Sequence, residues 1–230
     1  MSCNFIQLYF NDRKISKPMT KKNMHNKSFV NSIVLFIFFA IFVVSTPVFA
    51  ASPTDDLRPT LEGIVDIITN PEYSGPENKD IRREHIMEVA RRGFDFTTMS
   101  KLVLGKTYRK LNDQQKKYFE ELFTKLLENA YIGKLENYTD QVTRYEGEQI
   151  KGKKAEVRTQ VENNGVTLPV SYIMLQNDTG WKVYDIKIEG VRLLRNYKAQ
   201  FKSILRKSKF EGLVKVLEEK NAGLAKKGSL

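Results

Sequence analysis

The sequence predicts an α+β fold in which about four antiparallel strands form a meander flanked by helices. Three observations carry that prediction. Apolar residues recur at a helical spacing from Asp55 to about Tyr138, alternate at a spacing of two thereafter, and return to helical spacing from Val191. The triplet Asn163-Asn164-Gly165 sits between two alternating runs, as a hairpin turn requires. Beyond residue 50 the chain has no cysteine, so its interior must close by apolar burial, without a disulfide framework, a Cys nucleophile or a thiolate metal site.

The elements follow in order. From Asp55 to Thr69, Leu57, Leu61, Ile64, Val65 and Ile68 form one helical stripe that stops at Asn70-Pro71. After a loop with Pro71, Gly75 and Pro76, Asp80 to Arg92 reads as a second, highly charged helix with a narrow apolar face of Ile81, Ile86, Val89 and Ala90, ended by Gly93. Asp95 is placed to N-cap a short third helix reaching Leu104, with Phe96, Met99, Leu102 and Val103 on one side. A long helix from Asn112 or Asp113 to about Tyr138 carries apolar pairs four apart, from Tyr118-Phe119 to Ala130-Tyr131. Four residues overshoot a full turn, so this stripe winds round the helix and must touch more than one neighbour.

Gln141 to Gln149 is expected as the first strand. In the second, Ala155, Val157, Thr159 and Val161 alternate with Glu156, Arg158, Gln160 and Glu162, which gives one wet face. The third sets Val166, Leu168, Val170, Tyr172 and Met174 on one face, and Pro169 requires its donor side to be locally free, at an edge or bulge. Trp181 to Ile188 is the fourth. The helix expected from Val191 to Lys209 places Leu194, Tyr197, Phe201 and Ile204-Leu205 on one face, and a last helix runs from Gly212 to about Lys220.

The charge is concentrated in the same way. The chain has 230 residues and a formal charge of +11. Residues 1–50 hold six of the bases and one acid, which leaves +6 for the remainder. Those fifty residues read as a cleavable secretory signal: Lys21, Lys22 and Lys27 precede twelve apolar residues from Ile33 to Val44, and Val48-Phe49-Ala50 suits cleavage after Ala50. Twelve helical residues reach roughly 18 Å, short of the ~30 Å hydrocarbon core. Counted from Phe29 to Ala51, the segment is almost long enough to remain as an anchor. Translation starting at Met19 or Met24 would remove a preceding stretch that resembles neither signal nor domain. Residues 51–222 then form one domain and 223–230 a flexible tail. Export ranks anionic lipid and acidic protein surfaces above nucleic acid as the counterpart of the positive charge.

Catalytic patterns are absent from the sequence: there is no HExxH, GxSxG, glycine-rich phosphate loop or acidic metal cluster. His85, among charged neighbours, reads as a solvated surface residue. Asp185 beside Tyr184 is the best carboxylate for an enzyme in a pocket, and capping or salt-bridging is its plainer role. Arg192, Arg195, Lys198, Lys202 and Arg206 lie on the 191–209 segment with Lys207 and Lys209 and no acid. They suit docking to an anionic membrane or partner, or simply form the solvated side of a packed helix.

Several stretches taken together resemble the MlaC family of periplasmic phospholipid-binding proteins, also called the toluene-tolerance family. They are FDFTTMSKLVLGKTYRKL (94–111), the long helix with aromatic pairs ending in Tyr131, WKVYDIKIEGVRLLRNYKAQF (181–201) and KFEGLVKVLEEK (209–220). The more specific pieces are Leu102-Val103-Leu104-Gly105, Tyr184-Asp185, Glu189-Gly190-Val191 and Glu211-Gly212-Leu213. Where the family pattern has Ser after the Gly-Val step, this chain has Arg192.

The resemblance implies a curved sheet like the nuclear-transport-factor cone, combined with helices around a deep apolar cavity that holds phospholipid acyl chains. It implies a non-enzymatic shuttle, expected as a monomer, between an outer-membrane lipoprotein–porin complex and an inner-membrane ABC transporter with an MCE-domain subunit, serving outer-membrane lipid asymmetry. A related subgroup accompanies hopanoid synthesis, so a hopanoid-type ligand stays open beside phospholipid. No cofactor or metal is implied. Within such a fold the periodicity selects lining residues: Val157, Val161, Val170, Tyr172, Met174, Ile186 and Ile188 from the strands, and Leu102, Phe123, Leu127, Tyr131, Tyr197 and Phe201 from the helices. Two acyl chains contain ~30 methylenes, and at about 0.8 kcal/mol each their exposure would cost on the order of 25 kcal/mol, which such a lining has to offset.

Overall fold

A computed structural model describes residues 52–135, 142–163 and 165–227 of the chain. The leader, the start codon, the helix end at Tyr138, Gln141, Asn164 and the last three residues lie outside the described residues. Helix α1 (Pro53–Thr69) starts where Ser52 accepts a hydrogen bond from the Asp55 amide, with Pro53 in the first turn, where its missing N–H costs nothing. Helix α2 (Lys79–Gly93) buries Ile86, Met87, Ala90 and Gly93, while Ile81, placed on the apolar face by spacing, is 50% exposed. Helix α3 (Phe96–Leu104) is N-capped as expected: Asp95 Oδ1 accepts from the Thr98 amide at 2.8 Å. Helix α4 (Asp113–Leu135) buries Phe119, Phe123, Leu126 and Leu127 and packs on both α3 and the final helix, as its winding stripe requires.

The sheet is a simple antiparallel meander, in the order β1 (Val142–Lys151), β2 (Lys154–Asn163), β3 (Val166–Asn177), β4 (Gly180–Ile188), β5 (Val191–Arg192). The fifth strand corrects the count of about four. Val191 and Arg192 pair with Ile188 and Lys187 before the helix begins, so helix α5 (Leu193–Lys227) starts two residues later than its apolar spacing suggested. Helix α5 also continues to Lys227, and its two expected parts are joined through a kink at Lys209 (φ 57°, ψ −162°). Pro169 is in a central strand, not an edge. Its carbonyl accepts from the Glu189 amide in the turn where β4 ends, so the side on which the proline lacks a donor faces the end of a partner strand.

Two bulges bend the sheet. In β1 the register shifts between Tyr145 and Gly147, and in β4 it shifts opposite Ile173 and Met174, so that Tyr184 is the extra residue. The far edge of β4 is covered at one end by β5 and at the other by Phe94, which bridges to Val183 while the Asp95 amide donates to the Val183 carbonyl at 2.8 Å. Helix α1 packs on α2 and against β1, β2 and β4, and α3 and α5 pack on β4 and on each other.

Candidate functional site

The seven strand residues expected as lining share one face of β2, β3 and β4. Val157 pairs with Tyr172 and Tyr172 with Ile186, while Val170 pairs with Ile188, and Val161 and Met174 continue the same face. Val157 and Met174 are fully buried, Val161, Val170 and Tyr172 nearly so, and Ile186 and Ile188 are half-buried. Helix α1 lies across that face and is tied to it by polar contacts. Asp56 Oδ2 accepts from the Trp181 amide at 2.7 Å, Glu148 accepts from the amide and hydroxyl of Thr54, and the Arg58 guanidinium sits 4.1 Å from the centre of the Tyr145 ring. Burial pushes the Tyr172 hydroxyl well above the ordinary tyrosine range, with nearby Tyr145 adding to it.

The helical candidates form a second group. Phe123 meets Tyr197 edge to face at 5.4 Å and Phe201 at 5.6 Å, and Phe119 and Phe210 extend the cluster. Leu127 is buried beside them, and Tyr131 and Tyr197 are half-buried. Both groups belong to one continuous apolar core. Leu102 stands apart: it turns outward from α3 and is 37% exposed, because Met99, Ser100 and Val103 take the inward positions.

Between α4 and the two arms of α5 lies a cleft of about 300 Å³, lined by Leu126, Ala130, Tyr131, Asn196, Tyr197, Gln200, Lys220 and Leu224. Sequence reasoning found the two tyrosines and missed Asn196, Gln200 and Lys220. Helical spacing marks them only as polar positions, and the kink that folds the second arm back has no sequence signature. Burial also raises the Tyr197 hydroxyl above its ordinary range, supported by Tyr131 beside it. Asn221, buried next to Lys220, donates to the Leu122 carbonyl at 3.0 Å and accepts from Asn129 at 3.3 Å, which locks the second arm of α5 to α4.

All five basic residues singled out for docking, Arg192, Arg195, Lys198, Lys202 and Arg206, are exposed. Arg192 alone among them is also tied to a carboxylate: its Nε donates to Asp185 Oδ2 at 2.7 Å. Burial opposes the charge on Arg192, but the hydrogen bond and attraction of Asp185 outweigh it and hold the guanidinium above its usual range. Asp185 is 2% exposed, and its other oxygen accepts from the amides of Leu194 and Ile186. The carboxylate therefore caps the first turn of α5 and anchors β5, and Arg192 completes that contact. His85 is half-buried against the Tyr73 ring at 4.9 Å, closer packed than its charged neighbours suggested.

Comparison with known proteins gives a consistent set of likenesses. Residues 59–219 match the family described as MlaC protein. The chain is 29% identical over 123 residues to the intermembrane phospholipid transport system binding protein MlaC of Haemophilus influenzae, covering 51% of this chain and 58% of that protein. It is 28% identical over 117 residues to the toluene tolerance protein ttg2D of Pseudomonas putida, covering 50% and 54%. These matches thus span little more than half the length of either curated relative. A phospholipid-binding protein from Ralstonia solanacearum, solved in complex with a phospholipid, superposes with a TM-score of 0.70 at 26% identity, covering 76% of this chain and 99% of that one.

Proposed function

We propose, from the premise that the chain belongs to the MlaC family, that it is a periplasmic phospholipid carrier exported by its first fifty residues. It takes lipid between the outer membrane and an inner-membrane ABC transporter with an MCE-domain subunit, meets an outer-membrane lipoprotein–porin complex, and maintains outer-membrane lipid asymmetry. The observation that carries this reading is the single apolar core shared by the inward sheet face and the α4–α5 aromatic cluster, in a fold that matches a protein solved with a phospholipid. Acyl chains would enter by parting α1 and the helices from that face. The polar ties of α1 to β1 and β4 are the contacts that must yield.

The carrier needs no covalent step, cofactor or metal. Asp185, the one deeply buried carboxylate among the described residues, already has a guanidinium and two amide donors as partners, which supports a structural role rather than a catalytic one. Arg195, Lys198, Lys202 and Arg206 form the outward cationic side of the first arm of α5 and suit docking to an anionic partner. Among the described residues, no helix is long and apolar enough to cross a membrane.

Organic extraction of the purified protein followed by mass spectrometry tests the reading. About one phospholipid per chain is expected. Protein recovered lipid-free from cells with intact membranes would overturn it, and a hopanoid in the extract would redirect it within the family.

A further inference from the structure

We infer that the cleft between α4 and the two arms of α5 is a subsite for a phosphorylated glycerol head group, with Lys220 as the cation that faces the phosphate. The inference rests on the carrier reading and assigns a place to the polar end of the ligand.

Size argues first. At roughly 30 Å³ per small group, the cleft of about 300 Å³ takes about ten heavy atoms, which is the size of a glycerol phosphate. Two acyl chains need about three times that volume, so the cleft is not their store.

The lining then selects the chemistry. Lys220 brings three donors on a point charge, and Asn196 and Gln200 bring amides that donate to phosphate oxygens or exchange hydrogen bonds with a glycerol hydroxyl. Glu218, two residues before Lys220, accepts from the Tyr118 hydroxyl at 2.5 Å, and on α4 Glu128 pairs with Lys125 at 2.5 Å. Among the described residues Lys220 has no ion-pair partner, so its charge is available to a ligand.

Position supplies the third argument. Leu126 belongs to the continuous core, and Tyr131, Tyr197 and Leu224 pack directly against it. A molecule whose polar end sits at Lys220 therefore has its apolar end directed at the Phe123–Tyr197–Phe201 cluster. Asn221 and Asn129 fix the backbone beside Lys220, and the kink at Lys209 sets the angle at which the second arm closes over the first. A surface cation with no such frame would attract anions without orienting them.

The test uses protein expressed with its own leader, as wild type and as Lys220→Gln, Lys220→Glu and Tyr197→Phe. Lipid per chain is read by mass spectrometry of an organic extract. After delipidation, NMR titrations with sn-glycerol 3-phosphate, inorganic phosphate and laurate follow the resonances of Tyr131, Tyr197 and Lys220. Glycerol phosphate is expected to move all three in the wild type, and in Lys220→Glu to bind about tenfold more weakly as read at Tyr131 and Tyr197, as loss of one charge-assisted hydrogen bond implies. Unmoved resonances, or equal affinity in Lys220→Glu, would overturn the subsite. Inorganic phosphate binding as tightly as glycerol phosphate would replace the head group by a free anion, and tighter laurate would replace it by a fatty-acid carboxylate. Absence of phospholipid from the wild-type extract strikes the carrier reading alone, since the titrations decide the cleft independently. Lys220 is exposed, so none of its variants threatens folding.

Discussion

Tyr172 stands on the inward face of β3, and the same burial that makes it a wall of the interior makes its ionisation costly. A hydroxyl whose folded value is raised contributes stability that is intact below the unfolded value of 10.0 and is lost as pH climbs above it. Urea unfolding compared at pH 8 and pH 11 should therefore show a loss that shrinks by about 1 kcal/mol in Tyr172→Phe, with Tyr145 and Tyr197 accounting for part of the remainder. An unchanged pH dependence would place Tyr172 in a wet environment and remove it from the lining. Other single residues show where sequence reasoning stops. Asp185 reads as exposed or buried with equal justice until the bulge at Tyr184 is known, because the extra residue breaks alternation and buries Val183, Tyr184 and Asp185 in succession. Leu102 reads as inward at helical spacing, yet a helix of nine residues packed on one side has room for few inward positions, and Met99 and Val103 occupy them.

Among the elements, helix α5 departs furthest from a regular form. Lys209 holds a backbone conformation that is almost confined to glycine, and it does so without ending the helix, which resumes at Phe210 and buries that ring against Phe119. The turn is tight enough that a Cβ added to Gly212 would lie 2.2 Å from the Ser208 Cβ. Gly212→Ala should cost about 2 kcal/mol in urea unfolding, and the damage should appear at the α4–α5 cluster first, as altered Tyr197 resonances. Full stability in that variant would mean the kink is adjustable. The remaining elements were legible because period and punctuation agreed in each: Asp95 before α3, Pro71 after α1 and Asn163-Asn164-Gly165 between β2 and β3. Strand β5 was not. Two residues cannot show alternation, so in the sequence Val191 and Arg192 read as the start of the helix that follows.

At the scale of the whole molecule, the two lining groups legible in the sequence are distinct regions of one core, and their union depends on long-range packing that no local pattern encodes. The cleft lay beyond reach for the same reason, since its polar rim comes from separate arms of one helix. Charge placement was readable, and it yields a prediction at this scale. Reversing Arg195, Lys198, Lys202 and Arg206 to Glu should leave bound phospholipid per chain unchanged, while salt-sensitive transfer to inner-membrane vesicles falls at least about tenfold. Loss of bound lipid, or transfer at the wild-type rate, would remove these residues from docking. The bulge in β1 carries a last consequence. Among the described residues β4 has its outer edge covered by β5 and Phe94, so β1 is the sheet's open margin. There the ladder is broken at Glu146 and Gly147, and Arg144, Glu146, Glu148 and Lys151 follow one another along ten residues. A second chain seeking to add its own strand would meet an interrupted row of donors and a crowd of charges of both signs. That margin is therefore a poor template for edge-to-edge aggregation.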